Sequence, residues 1–276
     1  MPTNRLPVLL HPGSISSLLN CDWLKVLYVG DEDKYAEGHI PGSLRISHKD
    51  LNHGVAPCAG HLPATEQLER LFRSIGLEKE HHVVCCDEDS GTAAARLFWV
   101  LEAMGHHQVS FLDGGMLAWR AKGLGLSTVP AECQVSNWSA APNPDVLATK
   151  EYVINGLDNP QIQILDARSE EEYGGIKSAS DRRGHIPQSI SMNWLNTRDP
   201  HLNNQFKPLT ELQEMLNEAG LKQSSEIIAH CQTHQRSSHS YVMLRALGYN
   251  KVRGFAGSWS EWAADNATPI VDPQRA

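Results

Sequence analysis

The chain has 276 residues, 41% of them apolar and 20% charged, with a formal net charge of −8 at pH 7. That is apolar material for two ordinary domain cores. The acidic balance argues against nucleic acid and anionic membrane surfaces as partners, since both reward Lys and Arg clusters, but leaves room for a local positive pocket that takes a small anion. The six cysteines are sparse and contain no C-x-x-C pair, which argues against a disulfide framework and against a cysteine-rich zinc centre.

The opening stretch Met1 to Leu10 lacks the basic segment and long apolar run of a secretion signal. Apolar runs elsewhere are too short to span a membrane, so the expected compartment is the cytoplasm. From Val26 onward the chain is an internal repeat. Val26 to Tyr35 lies over Ile164 to Tyr173, and each stretch leads to the same tetrapeptide, Gly38-His39-Ile40-Pro41 and Gly184-His185-Ile186-Pro187. The second copy carries an insertion within residues 174–183. Amphipathic helices are predicted at Leu68–Leu77 and Leu212–Leu221, short apolar strands at Val83–Cys86 and Ile227–His230, and helix ends with a capping glycine at Gly105 and Gly248. Gly114 and Trp119 pair with Gly257 and Trp262.

Continuous apolar strands alternating with helices predict an α/β fold, two homologous domains each built on a mostly parallel sheet flanked by helices. Ser127 to Lys150 is rich in Pro, Ala, Asn and Ser and lacks periodicity. It divides the chain into domains at 1–126 and 149–276 with a linker at 127–148, and Thr149 is a candidate N-cap for the first helix beyond it.

Ligands of open α/β sheets sit beyond the carboxyl ends of the strands. After Ile227-Ile228-Ala229 the chain reads His230-Cys231-Gln232-Thr233-His234-Gln235-Arg236-Ser237-Ser238 and then enters a helix with Tyr241, Leu244 and Leu247 on its apolar side. A cysteine between a strand and a helix N-terminus meets the unsatisfied N–H groups and the positive end of the helix dipole, a setting that favours thiolate. Arg236 adds a fixed positive charge and His234 a conditional one. The same cradle suits an oxyanion. The matching loop of the first half, Asp87-Glu88-Asp89-Ser90-Gly91-Thr92, has three carboxylates and no cysteine. It is expected to be catalytically silent, and a solvated acidic loop is the favoured reading over a divalent-cation site at Asp87, Glu88 and Asp89.

The repeat, the paired Gly-His-Ile-Pro elements, the Cys-x-x-x-x-Arg loop and the Gly257 to Trp262 run resemble the tandem-domain rhodaneses over nearly the whole chain. The loop is most similar to a bacterial thiosulfate sulfurtransferase type that bears Cys-Gln-Thr-His-His-Arg-Ser. The resemblance implies an inactive N-terminal rhodanese-like domain, a catalytic C-terminal one, and a persulfide carried on Cys231. It implies attack by Cys231 on the outer sulfur of thiosulfate, departure of sulfite, and transfer to a thiophilic acceptor, cyanide or a thiol. Backbone N–H groups from Gln232 through Thr233, His234, Gln235 and Arg236 to Ser237 would cradle the sulfur, Arg236 would hold the donor anion, and the hydroxyls of Thr233 and Ser237 would add donors. No metal or organic cofactor is implied, and a monomer is expected. One departure stands out. The family's second arginine, four residues after the Arg of the Asp-x-Arg element, corresponds here to Glu172 after Arg168. Arg182 and Arg183 of the insertion are candidates to compensate. The loop also lacks the Cys-Gly-Ser-Gly pattern of mercaptopyruvate users.

Blander readings stand beside these. Arg168 divides between substrate binding and a structural pair with Asp166 or Glu172, Trp194 between a pocket wall and core packing, and His234 between tuning the pocket and exposure. Asp166 is expected to pair or cap rather than to move protons. The histidines of the two Gly-His-Ile-Pro elements occur in both halves, including the one without a nucleophile, so a shared turn explains them better than chemistry. Cys85-Cys86 is expected in the core, and His81-His82 and His106-His107 at solvated ends. Alternative functions are 3-mercaptopyruvate sulfur transfer, persulfide delivery to a protein acceptor, phosphatase or arsenate chemistry, and a non-enzymatic binding module. Phosphatase loops place five residues between Cys and Arg, whereas four lie between Cys231 and Arg236.

Overall fold

The computed structural model describes residues 6–88 and 90–275; Asp89 lies outside the described residues. The chain forms two compact units. Unit 1 takes the chain through Asn52, then Leu62–Asn143 and Asp199–Phe206; unit 2 takes His53–His61, Pro144–Arg198 and Lys207 onward. Each unit therefore includes a short segment that the repeat assigns to the other half. The composition-based linker shows no such exchange, because it records where the chain turns irregular and not where a loop docks.

In chain order the strands of unit 1 are β1 (Leu9–Leu10), β2 (Leu24–Val29), β3 (Leu44–Ile46), β4 (His82–Asp87) and β5 (Val109–Leu112). Unit 2 contains β6 (Leu147–Ala148), β7 (Ile162–Asp166) and β8 (Ile190–Ser191). A two-stranded ribbon follows, β9 (Arg198–Asp199) and β10 (Gln205–Phe206), and then β11 (Glu226–His230) and β12 (Val252–Phe255). The sheet order is β1-β5-β4-β2-β3 in unit 1 and β6-β12-β11-β7-β8 in unit 2. These are the same order under the repeat, and every pairing within the two five-stranded sheets is parallel. The central strands are buried along most of their length, as sheets with helices on both faces require.

Matching helices cover matching strands. Leu68 and Phe72 point inward from the Thr65–Ser74 helix, and Leu212 and Leu216 from Leu209–Glu218, both at the i, i+4 spacing that puts two side chains on one face. Trp119 joins Val26, Val84 and Met116 in the core of unit 1, while Trp259 and Trp262 join Ile164, Ile228 and Phe255 in unit 2. Thr149 caps its helix, its side chain accepting the Tyr152 N–H.

The Gly-His-Ile-Pro elements form one turn built twice. His39 stacks on Tyr35 and His185 on Tyr173, each pair with ring centroids 3.7 Å apart and planes 4° from parallel. In each, the histidine Nδ1 meets the carbonyl oxygen of that tyrosine. Cys85 and Cys86 are buried in β4. The histidine pairs differ from expectation. His82 opens β4 and is buried with its Nε2 2.7 Å from Ser110 Oγ, and His106 is buried just past a helix end. A neighbouring hydroxyl meets one of the two His82 ring nitrogens, and the strand begins one residue earlier than its apolar run. No helix among the described residues is long and apolar enough to cross a membrane.

Candidate active site

β11 and β7 run side by side in unit 2, with His230 in register with Asp166. Beyond His230 the backbone leaves the sheet at Cys231 and turns into the Arg236–Ala246 helix. His234 adopts a left-handed conformation, φ 55°, unusual for a residue with a side chain. Its side chain is what holds it there. It is fully buried, its Nδ1 lies 2.7 Å from Ser237 Oγ, and its carbonyl accepts the Ser238 hydroxyl at 2.6 Å. His234 is thus neither exposed nor pointed outward; it closes the loop on itself. Gln232, Thr233, Gln235 and Arg236 are partly exposed along the same turn, and Ser237 is buried in the first turn of the helix.

A second turn braces the first. Ser258 is also left-handed, φ 51°. Its Oγ accepts the Cys231 N–H at 3.3 Å and donates to the Phe255 carbonyl at 2.7 Å. The Trp259 N–H donates to the Cys231 carbonyl, and the Ser260 N–H to the Gln232 carbonyl. Paired strain of this kind persists only where surrounding bonds over-determine it. From the other side, Gly60 of the 53–61 segment packs so closely that an added Cβ would lie 2.4 Å from the Thr233 carbonyl oxygen and 2.5 Å from that of Ala256. The insertion reaches the loop as well, the Gln232 amide lying 3.5 Å from Ser180 Oγ.

Charge on Cys231 favours the charged form of Arg236, which places the two groups within electrostatic reach of each other. Arg236 also forms a two-pronged ion pair with Glu172, Nη1 to Oε2 at 2.6 Å and Nη2 to Oε1 at 2.9 Å. Burial works against the charge on Arg236, but Glu172 and Cys231 overcome it and hold the guanidinium pKa above its ordinary value. Burial likewise opposes the Glu172 charge, and the bonds from Arg236 and from the Ser169 N–H keep its carboxyl below the usual range. Glu172 is also the N3 residue of a capping box with Ser169, which fixes its direction.

The remaining expected site residues lie beneath or beside the loop. Arg168 is 1% exposed, so its guanidinium is sealed from solvent. It donates to both Asp166 oxygens and to the Gly184 carbonyl, and it stacks over the Trp259 ring. Burial opposes the charge on Asp166, yet His230 and Arg168 keep its carboxyl below the ordinary range. Burial drives His230 down to about 4, so its imidazole is neutral at pH 7; its Nε2 lies 3.5 Å from Asp166 Oδ2 without hydrogen-bond alignment. Trp194 packs edge-on against His239 of the loop helix and beneath the Arg198 guanidinium. Arg182 is committed elsewhere, to the Asp265 carbonyl and to both oxygens of Thr268. Glu172, Ser258, Gly60 and Ser180 act on the loop from positions far away in sequence, which no local pattern signals.

Unit 1 has a different answer at the equivalent strand end. Asp87 is 3% exposed and turned inward, not solvated. Its Oδ1 accepts the Gly91 N–H at 2.9 Å, and its Oδ2 accepts those of Ala93 and Ala94 at 3.0 and 3.1 Å. A carboxylate of the chain itself thus fills the helix N-terminus that an external anion would use. Glu88 pairs with Arg120 and accepts the Tyr28 hydroxyl.

The profile of the family described as Rhodanese-like domain matches residues 12–122 and again 149–265. The chain is 35% identical over 271 residues to a thiosulfate sulfurtransferase of Pseudomonas aeruginosa, covering 96% of this chain and 97% of that one. It is 34% identical over 268 residues to a thiosulfate sulfurtransferase of Azotobacter vinelandii, covering 96% and 97%. A solved structure of the anaerobic ergothioneine biosynthesis enzyme from Chlorobium limicola, in complex with trimethyl histidine, superposes with a TM-score of 0.87. It is 19% identical and covers 98% of this chain and 71% of that one, a likeness of fold.

Proposed function

Since the chain belongs to the rhodanese-like family and is a rhodanese sulfurtransferase, we propose that its sulfur is taken from thiosulfate and carried as a persulfide on Cys231. The observation that carries this reading is Cys231 just past the end of the central strand β11, on a loop braced from two sides that leads into a helix opening with Arg236.

In the first half-reaction the Cys231 thiolate attacks the outer sulfur of thiosulfate. A new S–S bond forms, the S–S bond of the donor breaks, and sulfite leaves with the bonding electron pair. In the second, an acceptor nucleophile such as cyanide attacks the outer sulfur of the persulfide and leaves as thiocyanate, returning Cys231 to thiolate. Arg236 offsets the charge on the attacking and returning thiolate, and the helix N-terminus adds its N–H groups. No proton transfer to carbon or oxygen is required, which fits a neutral, buried His230 and a paired Asp166. The relatives named thiosulfate sulfurtransferase support thiosulfate as donor.

Intact-mass measurement after incubation with thiosulfate tests the reading. One added sulfur is expected, discharged by cyanide and absent from Cys231→Ser. An unmodified mass with thiosulfate, or an adduct that survives the substitution, overturns it.

A further inference from the structure

Three side chains of unit 2 with metal-ligand chemistry converge at a point that does not include Cys231. Cys58 and His61 belong to the 53–61 segment, and Glu261 to the Ser258–Ala264 helix. The Cys58 thiol, a His61 ring nitrogen and a Glu261 carboxylate oxygen all lie within 4.8 Å of one another. His61 Nε2 and Glu261 Oε2 are already 3.0 Å apart. All three residues are partly buried.

We propose that Cys58, His61 and Glu261 form a site for a thiophilic divalent cation of the zinc type, with water in the fourth position. A thiolate, an imidazole and a carboxylate are a borderline-soft set that suits zinc; magnesium and calcium prefer oxygen alone. With bonds of about 2.0–2.3 Å, ligand atoms on a tetrahedral zinc lie about 3.4–3.7 Å apart. The site therefore closes by a movement of roughly one ångström, within the reach of a side-chain rotation.

The backbone holds the ligands in place beforehand. The His61 N–H donates to the Cys58 carbonyl at 2.9 Å, the His53 N–H to the His61 carbonyl, and the Gly54 N–H to the Ala59 carbonyl, so Cys58 and His61 sit on one hydrogen-bonded loop. Glu261 is folded back over Gly257, where any added Cβ would collide with its Oε2. The absence of a side chain at Gly257 is what lets that carboxylate face the loop. Gly60, between the two ligands, rests on the carbonyls of Thr233 and Ala256, so an ion here would pin the segment against the Cys231 loop.

The test uses the full chain, reduced, with Cys231→Ser so that the reactive thiol takes no metal; it is therefore independent of the sulfur-transfer reading. Zinc chloride is titrated calorimetrically, and cobalt(II) is followed by its thiolate charge-transfer absorption. One equivalent of zinc is expected, with affinity reduced at least roughly tenfold by Cys58→Ser and by His61→Ala, and the cobalt band is expected to vanish in Cys58→Ser. Absence of saturable zinc binding, or binding unchanged in both variants, overturns the proposal and leaves His61 and Glu261 as an ordinary ion pair. Should either variant fail to fold, the cobalt spectrum of the parent decides: no thiolate band overturns the site.

Discussion

Glu172 grips both terminal nitrogens of Arg236, at 2.6 and 2.9 Å, at the start of the helix that follows the Cys231 loop. If Arg236 holds the donor anion as proposed, its guanidinium is already partly engaged and the donor meets a carboxylate as well. At roughly 7 Å and an effective dielectric of about 20, one unit charge is worth about 2 kcal/mol. Glu172→Gln keeps the capping shape and removes the charge. We expect it to lower the KM for thiosulfate several-fold, with an increased sensitivity to salt. A KM that stays put or rises would show that Glu172 aids donor binding by aiming Arg236.

Gly60→Ala should damage the active loop from a distance. The new Cβ would meet two backbone oxygens, of Thr233 and Ala256, and neither can rotate away as a side-chain end would. We expect a loss of about 1–3 kcal/mol in stability from overpacking. We also expect at least a tenfold fall in kcat, since a displacement of about 1 Å can cost on the order of a hundredfold. Thermal unfolding and steady-state kinetics measure the two effects; wild-type kcat would mean that the loop does not depend on this contact.

Asp87→Ala should destabilise unit 1 without touching the chemistry. Three N–H groups lose their acceptor, and unsatisfied buried donors together with lost charge-assisted bonds are worth about 2–4 kcal/mol. The expected outcome is a lower unfolding midpoint that added phosphate or sulfate partly restores by occupying the vacated cradle. A midpoint equal to the parent's would show that the carboxylate is dispensable.

Stability should fall on acidification above the range where carboxylates titrate. Burial pushes His82, His106 and His230 down to about 4 and His239 to about 3. Free histidine titrates near about 6.5. The unfolded chain thus binds more protons between these values, and each histidine contributes stability that is present at neutral pH and lost as pH falls from about 6.5 toward 4 or below, by up to about 1.4 kcal/mol per pH unit. Asp113 works the other way. Burial raises it to about 6, so its contribution is present below its unfolded value of about 3.9 and lost as pH rises through about 6. Four histidines against one aspartate should lower the urea midpoint between about pH 7 and about pH 5. A flat or rising midpoint over that interval would contradict the burial of these rings.

The repeat, the parallel α/β class and the place of Cys231 were legible because each is written in a local pattern: apolar runs, capping glycines, and a cysteine where a strand gives way to a helix. Asp87 was legible as the counterpart of Cys231, but its inward turn was not. An acidic loop looks solvated until the N–H groups of Gly91, Ala93 and Ala94 are seen to converge on one side chain. Glu172 could be noticed as a departure from an arginine, while its hold on Arg236 depends on a contact between residues 64 positions apart. His82 and His106 read as polar ends, and only a tertiary neighbour such as Ser110, which meets one His82 ring nitrogen, shows how that side chain is accommodated inside. Cys58, Gly60 and His61 belong by sequence to the half without a nucleophile, so nothing local assigns them to the other unit.

That exchange of short segments bears on how the chain is made. Unit 1 includes Asp199–Phe206, and the Phe206 N–H donates to Asp113 Oδ1 at 2.9 Å. A ribosome that has released everything up to Asn143 has yet to deliver the strand that completes the first unit, although domains usually fold as they emerge. Conversely, His53–His61 leaves the ribosome early and has no seat until the Thr233 and Ala256 carbonyls follow. Each unit thus acquires its last segment only after chain belonging to the other has been made, which ties the order of their completion to the order of synthesis.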